Sequence, residues 1–71
     1  MATLNFKQVS WRHFQTTKFY LKRFNMDKTD LGVIGARRML AETFNYLKTQ
    51  NAILVDGGEK VQFPNEGYTI E

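Results

Sequence analysis

The sequence predicts a small α+β domain, two to three helices followed by a β-hairpin, with short strands allowed at either end. Three observations carry this. Apolar residues recur at helical spacing over about residues 10–24 and again over about 30–51, and two apolar runs then flank Asp56-Gly57-Gly58-Glu59. Seventy-one residues fit one domain, 1–71, and the absence of cysteine removes disulfide and thiolate-metal staples. Stability must therefore come from apolar packing or from association with other chains. A composition 42% hydrophobic and 14% aromatic supplies material for a core and argues against intrinsic disorder.

The first segment, 3–9, alternates Leu4 and Phe6 with polar neighbours and predicts a short strand or extended arm. Ser10 then stands as an N-cap for a helix over about 10–24, whose apolar stripe is Trp11, Phe14, Leu21 and Phe24 with Tyr20 at its edge. Arg12, Phe19, Lys22 and Arg23 fall on the other side. Asn25-Met26-Asp27 predicts a turn.

The clearest periodicity follows, with Val33, Ala36, Leu40, Phe44 and Leu47 at spacings of three and four. Gly32 and Gly35 interrupt its first turns, so the 30–50 segment reads either as one helix or as a short helix, a turn at Gly35 and a long helix from Ala36. Residues 52–55 and 60–63 form the hairpin. Its register has two solutions: Ala52, Leu54, Val61 and Phe63 share the buried face, or a one-residue bulge gathers Ile53 and Val55 with Val61 and Phe63. Pro64 ends the second strand, and the alternation of Tyr68 and Ile70 allows a third.

Charge is unevenly spread. Residues 1–28 hold six lysines and arginines against Asp27 alone, whereas residues 29–71 hold four against six carboxylates, for a net charge of +3. A basic amino-terminal half points to an acidic partner, nucleic acid or an acidic protein surface. No run approaches the roughly 18 apolar residues of a membrane span, and Met-Ala-Thr-Leu-Asn-Phe-Lys lacks the apolar core of a secretory signal. The expectation is a soluble, cytoplasmic chain with no membrane partner.

Catalysis has little to work with. His13 and Ser10 are the one histidine and the one serine, and no acid is placed to orient the imidazole, so they read as a surface residue and a helix cap. Zinc sites draw several ligands from His and Cys, and no phosphate-binding glycine pattern occurs. The expectation is a non-enzymatic protein without metal or cofactor.

Leu31-Gly32-Val33, Arg37-Arg38, the stripe Leu40, Phe44 and Leu47, and Asn51-Ala52-Ile53 leading into a Gly-Gly hairpin follow one another over about residues 30–63. In that order they resemble the winged helix-turn-helix DNA-binding family. The resemblance implies a winged-helix-like domain in which the helix from about 36 to 50 enters the major groove and the hairpin is the wing. At about 100° per residue, Arg38, Ala41, Asn45 and Lys48 share one strip beside the apolar stripe, with Arg37 near the helix start. Arg suits guanine, Asn adenine, Ala a thymine methyl and Lys phosphate. Lys22, Arg23 and Lys60 would be backbone contacts.

Two functions compete. One is a DNA-binding regulator or architectural factor, acting as a homodimer because one recognition helix reads only a few base pairs. The other is a protein-binding module, an inhibitor, adaptor or subunit, that uses Phe19, Arg12 and Arg23 on the first helix or the hairpin edge.

Overall fold

A computed structural model describes residues 3–71. The chain runs β1 (Leu4–Asn5), a 3-10 turn (Phe6–Gln8), α1 (Trp11–Gln15), α2 (Lys18–Thr49), β2 (Ile53–Val55), a 3-10 turn (Asp56–Gly58), β3 (Lys60–Phe63) and β4 (Tyr68–Ile70). The four strands form one antiparallel sheet in the order β1-β2-β3-β4. The fold is thus α+β, as the sequence predicts, with a helical layer against one face of the sheet. The predicted arm over 3–9 is shorter than expected. Only Leu4 and Asn5 pair, because the Asn5 side chain caps the 3-10 turn by accepting from the Lys7 N–H, and that turn drives Phe6 into the core.

The expected helix over 10–24 is broken in two. Ser10 caps α1 as predicted, its hydroxyl accepting from the His13 N–H at 3.1 Å. At Thr17 the chain turns extended and starts again. The buried Thr17 hydroxyl donates to the Phe14 carbonyl at 2.7 Å and accepts from the Tyr20 N–H at 3.1 Å, capping α2. This restart rotates everything downstream. A continuous helix would place Leu21 beneath Phe14; instead Phe19 and Tyr20 point inward, Phe19 is 2% exposed and Leu21 is 48% exposed. The inward assignment of Leu21 and the outward assignment of Phe19 are both corrected by that one capping residue.

No turn forms at Asn25-Met26-Asp27; the helix continues to Gly32. A straight helix of 32 residues would span about 48 Å at 1.5 Å per residue. The longest dimension of the molecule is 31 Å, so α2 must fold back on itself. It does so at Gly32, whose φ of 74° and ψ of 178° lie outside any helix. Gly35, the expected turn, remains helical. Its lack of a side chain serves the corner differently, since a Cβ there would lie 2.9 Å from Leu31 Cβ. Val33, expected in the stripe, sits beside the break and is exposed, while Ala36, Leu40, Phe44 and Leu47 are buried as predicted. The second arm ends where Asn51 takes a left-handed φ of 55° and the Ala52 N–H reaches back to the Leu47 carbonyl.

The hairpin adopts the first of its two registers. Leu54 pairs with Val61, and Val55 with Lys60, across a four-residue loop. Ala52, Leu54, Val61 and Phe63 are therefore buried together. Pro64 follows the last residue of β3, and Tyr68–Ile70 adds the outer strand.

Aromatic rings dominate the junction of layers. Phe14 stacks on Phe44 at 4.9 Å and meets Phe6 and Tyr20 edge-on at 5.5 Å each, and Trp11 packs on Phe44 at 5.5 Å. The buried Tyr20 hydroxyl has no hydrogen-bond partner among the described residues. An orphaned buried hydroxyl costs about 1–3 kcal/mol. Tyr20→Phe is accordingly expected to leave the urea midpoint unchanged or raise it, and a clear fall would show that the hydroxyl is satisfied.

Candidate nucleic-acid interface

The second arm of α2 carries the predicted recognition strip on its flank. Arg37, Arg38 and Asn45 are exposed there, whereas Ala41 and Lys48 are half-buried. Lys48 is half-buried because its ammonium lies 4.5 Å from the centre of the Phe44 ring. Phe44 continues through Trp11 to Tyr20, which stacks on Phe24 at 5.8 Å, and Lys28 stands 5.7 Å above Phe24. A ladder of four rings thus joins the two arms, with a cation over each end. Lys28 is a residue that sequence reasoning missed. Its spacing of four from Phe24 was the available signal, hidden by the expected turn at 25–27.

The remaining predicted contacts are differently engaged. Lys60 forms ion pairs with Asp56 and Glu71, both at 3.3 Å, and those two carboxylates hold its pKa above the ordinary 10.5, Glu71 more than Asp56. Lys18 reaches Glu59 at 3.6 Å. The proposed wing tip therefore has its charges paired, and Lys60 is not a free phosphate contact. Arg23 lies over the Phe19 ring at 5.4 Å and donates to the Glu71 carbonyl. Lys22 and Arg12 are exposed. The protein-binding anchor expected at Phe19 is corrected: its ring is in the core, turned in by the Thr17 restart, and contributes only to a groove floor.

No family model, curated protein or solved structure matches this chain.

Charge sorts by layer. Up to Thr49 the chain has nine lysines and arginines against three carboxylates, and beyond it Lys60 alone against four. All the ion pairs of the described residues engage carboxylates of this second, acidic segment. The helical layer is left with an unneutralised positive field, which the sheet layer does not share. Ser10 is occupied as a cap and His13 is exposed, and the described residues contain no cluster of three or more His, Cys, Asp or Glu side chains. Within the described residues no helix is long and apolar enough to cross a membrane.

A concave feature lies on the other flank. Phe19, Arg23 and Asp27 of the first arm, Met39, Leu40 and Thr43 of the second, and Ile70 of β4 line a groove of about 300 Å3. Met39, Tyr46 and Tyr68 are about half exposed, and Tyr68 stacks on Phe63 at 4.7 Å. Packing against its neighbours, then the charge of Glu66, holds the Tyr68 phenol above its ordinary pKa of 10.0. Met39, Thr43 and Tyr46 recur at helical spacing beside the main stripe, a signal legible in the sequence but outweighed there by the stronger one.

Proposed function

We propose that this chain is a small, non-enzymatic protein that binds double-stranded DNA through its helical layer, as a regulator or architectural factor of winged-helix-like type. The observation that carries the reading is the segregation of charge: apart from Lys7 in the amino-terminal 3-10 turn, the cations in no ion pair of the described residues lie on α1 and α2, and the ring ladder from Phe24 to Phe44 presents two of them, Lys28 and Lys48, on the flank that also bears Arg37. The element order helix, Gly32 corner, helix and hairpin is the one the winged-helix resemblance implies, here with the hairpin at the centre of a four-stranded sheet. In this reading Arg38 and Asn45 meet base edges, Arg37 and Lys28 meet phosphate, and the hairpin, with its paired charges, contributes little.

Fluorescence-anisotropy titration against duplex DNA at two salt concentrations tests this. Lys28→Ala should weaken all sequences alike and flatten the slope of log K against log salt by about one. Arg38→Ala should lose about 1–3 kcal/mol on a preferred site and much less on random DNA. Absence of duplex binding at about 50 mM salt and micromolar protein would refute the reading, since even non-specific binders reach dissociation constants of about 10⁻⁴ to 10⁻⁶ M at physiological salt.

A further inference from the structure

We infer that the β4 edge and the groove beside it form a two-fold interface with a second copy of this chain. β4 is an outer strand with one side unpaired, whereas the opposite edge, β1, is only two residues long. An exposed edge strand is a template for another strand, and two identical antiparallel edges satisfy each other around a two-fold axis. The flanking surface is suited to burial. Half-exposed Met39 lines the groove, and half-exposed Tyr46 and Tyr68 pack on Phe63 of the neighbouring strand; Tyr and Met are among the residues enriched at the centres of protein interfaces.

Charge selects the occupant. Arg23 and Asp27 stand one helical turn apart on the same groove wall, and neither takes part in a salt bridge within the described residues. A polyanion or a strongly acidic partner would oppose Asp27, and a strongly basic partner would oppose Arg23. A second copy opposes neither. The two-fold axis runs the two first arms antiparallel, which sets Arg23 of each protomer against Asp27 of the other. Elsewhere the helical layer carries unneutralised positive charge that repels its own copy, so the mixed-sign groove is the favourable place for self-contact. Lys28, Arg37 and Lys48, on the opposite flank, stay uncovered.

Sedimentation equilibrium of the full chain tests the interface. At about 100 µM, ample for a modest interface of about 800 Å2 a side, the wild type should show twice the 8.3 kDa of one chain. Arg23→Asp alone sets like charges against each other twice across the axis, and so does Asp27→Arg alone; each should weaken self-association at least tenfold. Mixed one to one, they should form a heterodimer, because both contacts then pair opposite charges. Far-UV circular dichroism checks that the variants fold. Should Arg23→Asp fail to fold, Tyr68→Lys replaces it, and by itself should give the monomer mass. A monomeric wild type overturns the proposal and leaves the edge to a different protein chain. Single variants whose dissociation constants equal that of the wild type, or folded variants that fail to pair on mixing, overturn it as well.

Discussion

Phe44→Ala should cost about 3–5 kcal/mol, the usual range for emptying a buried phenylalanine site. A domain of this length has about 4–11 kcal/mol of stability at 0.05–0.15 kcal/mol per residue, so most of it would go. The effect is large because Phe44 joins three elements at one point. Its ring stacks on Phe14 of α1, meets Phe6 of the amino-terminal 3-10 turn at 6.0 Å and Trp11 at 5.5 Å, and carries the Lys48 ammonium. The rings packed against it are planar and held by other contacts, so they cannot collapse into the space. The cavity term should therefore approach its full value. Urea denaturation followed at 222 nm measures it, and a midpoint equal to that of the wild type would show that Phe44 is not the hub of the core. Leu21→Ala is the internal control, expected to cost well under 1 kcal/mol because Leu21 is half in solvent.

Gly32→Ala should cost about 1–3 kcal/mol although the added methyl touches nothing. An ideal Cβ at Gly32 has no atom within 4 Å, so packing predicts no penalty. The penalty is conformational: a φ of 74° with ψ near 180° is a region open essentially to glycine alone. Alanine would favour continuing the helix, and a straight α2 of about 48 Å cannot keep both arms on one sheet in a molecule 31 Å long. The variant should therefore lose stability, with any residual population more extended. Gly57→Asn is the matched comparison. Gly57 has φ 64° and ψ 25°, an ordinary left-handed conformation that asparagine tolerates, so that change should be nearly silent. Equal midpoints for Gly32→Ala and the wild type would show that the corner does not depend on glycine.

Local chemistry determined much of this protein from the sequence alone. The Ser10 cap, the stripe Ala36, Leu40, Phe44 and Leu47, the hairpin around Gly57-Gly58, the stop at Pro64 and the strand at Tyr68 were all legible, because each depends on neighbours a few residues away. The uneven charge was legible too, since composition does not depend on the fold. Tertiary structure decided what hangs on phase and on long-range closure. One threonine, Thr17, caps a second helix and turns Phe19 in and Leu21 out, and a periodicity read across that cap had to fail from there onward. Two glycines competed for the corner. Gly32 took it, with a φ of 74° and ψ of 178°, while Gly35 stayed helical and is bare against Leu31, whose Cβ would lie 2.9 Å from a Cβ added there. The pairing of Lys60 with Glu71 at the outer strand's end, and the groove between the arms and β4, join separate elements and exist only once the chain has closed.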